Sequence, residues 1–118
     1  MDREILAVQR MQDYIAMHLD DEITLADLSR VSFYSPWHAH RLFSQHTGYT
    51  VVRYIRSMRL SRAALRLRDS GLSVTEASFD AGFGSVDGFQ RAFKDEFRIN
   101  PKSYSINYPR GRAPGFVT

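Results

Sequence analysis

Cysteine is missing from all 118 residues, which removes disulfides, thiolate metal sites and cysteine nucleophiles together. Proline and glycine number only four and seven, which leaves long uninterrupted stretches for helices. No apolar run approaches the roughly 20 residues of a membrane-spanning helix, so no membrane partner is expected. The opening Met1-Asp2-Arg3-Glu4 has neither the basic flank nor the apolar stretch of a signal peptide, and a cytoplasmic protein is expected. Histidine is scarce too, at His18, His38, His40 and His46. These make no HExxH and have no paired carboxylates beside them. His38 and His46 are the pair a metal could use, and little else supports that. With no glycine-rich phosphate loop and no nucleophile motif, neither enzymatic chemistry nor a cofactor nor a metal is expected.

Acid is absent from one region. Residues 36–68 hold Arg41, Arg53, Arg56, Arg59, Arg62, Arg66 and Arg68 and no carboxylate, whereas residues 1–35 hold seven acids against three arginines. The formal net charge is only +3, so the asymmetry matters more than the total. A basic middle fits a surface that faces a polyanion. It fits a solvated helix face equally well.

Periodicity fills the chain with helices. Ile5, Val8, Met11, Ile15 and Leu19 recur at helical spacing and predict an amphipathic helix over 4–19. Thr24 with Asp27 resembles a capping box and opens a short helix to about residue 31. Ser35-Pro36 places a good N-cap before a proline whose missing N–H costs nothing there, and Gly48 stops the helix that follows. A long helix over 50–69 carries Val52, Ile55, Leu60, Ala63, Ala64 and Leu67 as its apolar stripe. Ser73-Val74-Thr75-Glu76 is a full capping box. Gly82-Phe83-Gly84 makes a turn, Ser85 caps another helix to about 97, and Asn100-Pro101 opens a last short one. That is about seven helices and no strand, which a generic helical bundle would also satisfy. The Pro/Gly/Arg-rich residues 109–118 read as a flexible tail or linker.

An internal repeat narrows the choice. At a shift of fifty residues Ser35 meets Ser85, Arg41 meets Arg91 and Phe43 meets Phe93; at forty-nine, Leu25 meets Val74, Leu28 meets Ala77 and Tyr34 meets Phe83. Two segments therefore share one plan of short helix, tight turn and second helix, the second with one extra turn residue. A helix-turn-helix of this kind lays its second helix in the DNA major groove. In the first, Ala39, Leu42 and Phe43 must face inward, leaving Trp37, His40, Arg41 and Ser44 outward. In the second, Phe89, Ala92 and Phe93 face inward, leaving Asp87, Gln90, Arg91 and Lys94 outward. Arginine can grip guanine bidentately, glutamine can pair with adenine, and lysine suits phosphate. Trp37 could instead tuck into the core, and Asp87 in a first turn also stabilises the helix dipole.

The motifs Tyr54-Ile55-Arg56, Arg59-Leu60 with Ala63, Ala81-Gly82-Phe83, Phe89-Gln90-Arg91-Ala92-Phe93-Lys94, and Pro101 with Tyr104 resemble those of the AraC/XylS family of bacterial transcription regulators. The resemblance covers about residues 5–108. It implies an all-α domain of two helix-turn-helix lobes, at 1–49 and 71–108, joined by a linker helix at 50–70. Their recognition helices would enter successive major grooves of double-stranded promoter DNA. It places contact positions on Trp37, His40, Arg41, Val86, Asp87, Gln90 and Arg91. Three departures stand out: Ser32-Phe33 where Ala and Gly are usual, Asp87-Gly88 as poor base readers, and Ser105 where Arg is common. A helix of about 20 residues spans about 30 Å against about 34 Å between successive grooves, so one monomeric chain is expected to span both. RNA polymerase is the candidate second partner. Because the first helix starts beside Met1, no regulatory domain is expected before it. The chain could still be the DNA-binding part of a longer regulator with a C-terminal effector domain. A helical protein-interaction module is the remaining alternative, and it leaves the repeat unexplained.

Overall fold

The computed structural model describes residues 2–107; residue 108 of the expected second lobe and the expected tail at 109–118 lie outside them. Among the described residues there is no strand, and seven helices follow one another: α1 (Arg3–Met17), α2 (Leu25–Ser32), α3 (Pro36–Thr47), α4 (Val51–Asp69), α5 (Val74–Asp80), α6 (Val86–Phe97) and α7 (Pro101–Asn107). The expected all-α class and helix count hold, and the helix ends agree to within a turn.

Caps explain where the helices begin. Thr24 and Asp27 close a reciprocal box: the Asp27 N–H donates to Thr24 Oγ1 at 3.1 Å and the Thr24 N–H to an Asp27 carboxylate oxygen at 3.0 Å. Ser73 and Glu76 do the same at the start of α5, both bonds at 3.0 Å. The backbone N–H of Thr24 holds the Asp27 carboxyl below its ordinary range, with help from the Thr24 hydroxyl; Ser73 acts likewise on Glu76. Ser35 and Ser85 accept from the N–H of His38 and Gly88 at 3.3 and 3.1 Å. Each such cap is worth about 1 kcal/mol.

The chain divides into two compact units between Arg56 and Ser57, inside α4. In the first, α1, α2 and α3 pack on one another around Val8, Met11, Ile15, Leu28, Leu42 and Phe43, joined by Val51 and Ile55 from the start of α4. In the second, α6 packs against α5 and α7, and the core joins Leu60, Ala64 and Leu67 of α4 to Ala77, Phe89, Phe93 and Tyr104. Truncating Phe43 or Phe93, both fully buried, would cost about 3–5 kcal/mol.

The fifty-residue repeat runs further than the two helix-turn-helix segments. Phe43 meets Tyr54 edge-on with ring centroids 5.0 Å apart, and Phe93 stands 5.6 Å from Tyr104. The Thr50 hydroxyl accepts from the Arg53 N–H at 3.1 Å, as the Asn100 side chain accepts from the Ser103 N–H at 2.8 Å. The start of α4 thus closes the first unit as α7 closes the second. The rest of α4 lines the second core as α1 lines the first.

The repeat also aligns the left-handed residues. Phe33 (φ 67) ends α2, and Gly82 (φ 84) occupies the matching place after α5; Gly48 (φ 79) ends α3 as Arg98 (φ 63) ends α6. At these aligned places each unit has one glycine and one side-chain-bearing residue in this costly region, and the second unit adds Gly71 (φ 69) just after α4. Around Phe33, Ser32 compensates in part. Its hydroxyl donates to the Ser29 carbonyl and accepts from the Tyr34 N–H, both at 3.3 Å, while Ser29 Oγ donates to the Tyr34 carbonyl at 2.5 Å. The unusual Ser32-Phe33 pair therefore still makes a tight turn. Gly84 lies in the longer second turn, between the left-handed Gly82 and the cap at Ser85.

Two core expectations need correcting. Val52 is 77% exposed, and Val51 takes the buried place, since α4 turns 100° between the two and 51 and 55, not 52 and 55, share the inward row. Ile5 is half exposed while Ala7 is fully buried, the inward row of α1 being Ala7, Val8, Met11 and Ile15.

Candidate nucleic-acid interface

The inward face of α3 is fixed by Ala39, Leu42 and Phe43, which are buried. On the opposite face Trp37 is 67% exposed, so the indole does not tuck into the core. The Arg41 guanidinium lies 4.7 Å from the Trp37 ring centroid. That cation–π contact stiffens two outward side chains one helical turn apart. Arg41 is exposed, whereas His40 and Ser44 are half-buried. His40 Nδ1 and Ser44 Oγ are buried without a hydrogen-bond partner within the protein. Helix α3 therefore brings Trp37 and Arg41 together outward but sets His40 and Ser44 at the edge of the face, with His40 offering only Nε2. Gln45, exposed one turn beyond Arg41, was not among the expected residues; its four-residue spacing from Arg41 is the signal that marks it.

Helix α6 is anchored by Phe89 and Phe93, both fully buried. Asp87, Gln90, Arg91 and Lys94 are exposed, and Val86 is half-buried at the helix start. The four exposed side chains line one open hollow together with Asn100 and Lys102 of the following segment. Neither Asn100 nor Lys102 was expected, because they reach the site through tertiary packing of α7 on α6.

The arginine-rich stretch is less available than its composition suggests. Arg66 pairs with Asp80. Arg68 holds Asp69 through two bonds at 2.7 and 2.8 Å, and that hydrogen bonding raises the affinity of Arg68 for its proton. Arg53 leans over the Tyr49 ring at 5.8 Å and, like Arg56, stays exposed. Among the described residues no helix is long and apolar enough to cross a membrane, and no cluster of three or more potential ligands could hold a metal.

A family profile described as a helix-turn-helix domain matches residues 28–106. The chain is 29% identical over 110 residues to the multiple antibiotic resistance protein MarA of Salmonella typhimurium, covering 93% of this chain and 87% of MarA. It is 35% identical over 94 residues to the transposon Tn10 TetD protein of Escherichia coli, covering 80% and 68%. Its fold matches the crystal structure of a probable AraC family transcriptional regulator from Rhodopseudomonas palustris with a TM-score of 0.78 at 25% identity, over 86% of this chain and 95% of that one. Taken with the paired helix-turn-helix units and their outward-facing second helices, these likenesses place the chain in the AraC/XylS family of transcription regulators, as a DNA-binding domain of that family.

Proposed function

We propose that a single chain binds duplex DNA with α3 and α6 each in a major groove, and that α3 does most of the base reading. As a member of its family the chain is a sequence-specific DNA-binding regulator of transcription. The observation that carries the finer reading is the Trp37–Arg41 stack, exposed on a helix whose opposite face buries Ala39, Leu42 and Phe43. A held arginine loses less freedom when it grips guanine, and a flat indole supplies apolar contact such as a thymine methyl offers. Helix α6 presents Gln90, Arg91 and Lys94, but its first turn carries Asp87, which repels phosphate, and Gly88, which has no side chain. Helix α4, at 19 residues, rises about 28 Å, which suits one chain to adjacent grooves. DNA bending of order 1–6 kcal/mol would meet the remaining mismatch. RNA polymerase is the second partner such a regulator meets at a promoter, and cytoplasmic residence follows from that role.

The experiment is titration of a promoter duplex of about 20 base pairs, with heparin as competitor and stoichiometry from sedimentation. One chain per shortest competent site is expected, with affinity falling steeply as salt rises. Two chains on that site, or affinity indifferent to salt, would overturn the reading.

A further inference from the structure

The hollow beside α6 is not made by α6 alone. Asp87, Gln90, Arg91 and Lys94 form its near wall, and Asn100 and Lys102 complete it. Three cations face one carboxylate. Asp87 lies seven residues before Lys94, about 10 Å of helical rise away, in the first turn of α6. Lys94 and Lys102 are both exposed, and among the described residues neither side chain forms an ion pair. The Asn100 side-chain oxygen is taken by the Ser103 N–H at 2.8 Å, which leaves its amide NH2 as the outward group. A donor amide and two exposed ammonium groups lining one open concavity suit a phosphate oxygen and carry no base identity.

The repeat supplies an internal comparison. At the fifty-residue shift Lys94 corresponds to Ser44, Asn100 to Thr50 and Lys102 to Val52. The backbone plan is the same, with a side-chain cap at Thr50 and at Asn100, but the first unit has no cation at these places. It shows instead an exposed Val52 and a serine whose hydroxyl is buried. We propose that the second unit holds the DNA backbone in a cradle shared by α6 and α7, in which Lys102, Lys94 and the Asn100 amide touch phosphate. Asp87 and Gly88 weaken base reading in this unit, and the cradle gives it a sequence-independent grip in exchange. This rests on the DNA-binding reading above.

Duplex binding by the full chain, measured at a series of potassium chloride concentrations, tests it. Lys102→Ala should weaken binding about 5–10-fold at low salt, equally on the best site and on its single-base variants. The slope of log affinity against log salt should become shallower by about 0.9, the share of one phosphate contact. Lys102→Arg should keep the wild-type slope. Val52→Lys, which installs the missing cation in the first unit, should steepen it by a similar amount. Both positions are exposed, so unfolding midpoints should stay put and loss of fold will not imitate the result. An unchanged slope in Lys102→Ala or in Val52→Lys, or a loss confined to particular sequences, overturns the cradle. A wild-type chain that binds no duplex at all overturns the reading beneath it.

Discussion

Replacing Phe33 by glycine should make the protein more stable than replacing it by alanine, although glycine is the more flexible residue. Phe33 holds φ at 67°, where a side chain costs about 1–2 kcal/mol. Glycine removes that cost and adds about 0.5–1 kcal/mol of backbone entropy, so it should win by about 0.5–1 kcal/mol over alanine. The ring itself contributes little. It is 80% exposed, and its one directional contact is the Arg10 guanidinium at 5.3 Å, worth about 0.5–1 kcal/mol at an exposed site. Phe33→Ala should therefore lose about that much, and Phe33→Gly should land near the wild type. The second unit supplies the reverse experiment. Gly82 has φ 84, and a Cβ there would meet nothing within 4 Å, so Gly82→Ala should cost about 0.5–1 kcal/mol through the backbone alone. Urea denaturation of all three variants reads these differences, which correspond to a few degrees in melting temperature. Equal stability of Phe33→Gly and Phe33→Ala would refute the claim of strain.

Arg41→Ala should cost about 1–3 kcal/mol on the best DNA site and relax preference at one or two base pairs, whereas Lys94→Ala should weaken all sequences alike; binding isotherms on single-base variants would expose a reversal of these roles. Ser44→Ala should leave base preference intact and hold or raise stability, because it removes a buried hydroxyl with no partner; a changed preference in the same isotherms would put that hydroxyl on the DNA. Asp27 and Glu76 have folded-state values below their ordinary ones, so their contribution is complete above the unfolded values and drains away as acid carries pH down through the folded ones. Melting temperatures should accordingly fall below about pH 4.5, and Asp27→Ala with Glu76→Ala should flatten that part of the profile; an unaltered profile in the double variant would assign acid sensitivity elsewhere.

Where sequence and structure part company, the reasons are local and physical. Capping boxes, the proline at the start of α3 and the glycines at 48 and 82 announce themselves, because each residue type suits one backbone task. Phe33 and Arg98 adopt the same left-handed turn with no residue preference to signal it, and only their alignment with Gly82 and Gly48 makes it legible. Val51 and Val52 are chemically identical neighbours, so composition cannot say which faces inward. The outward place of Arg41 follows from spacing, whereas spacing left Trp37 open to the core, and its 67% exposure is what puts it on the outer face. The partial burial of His40 and Ser44 depends on how closely neighbouring helices overhang α3, and helical periodicity is blind to that. Asn100 and Lys102 joined the α6 face only through packing between helices.

Because α4 ends one unit and begins the next, the natural place to separate the halves is mid-helix near Arg56 and Ser57, not in either flanking loop. A cut at Gly48 would strip the first half of its closing helix, and one at Gly71 would strip the second of its opening one. The arrangement has the grammar of an open array, in which each added reading helix needs about fifty more residues and a closing helix long enough to start another unit.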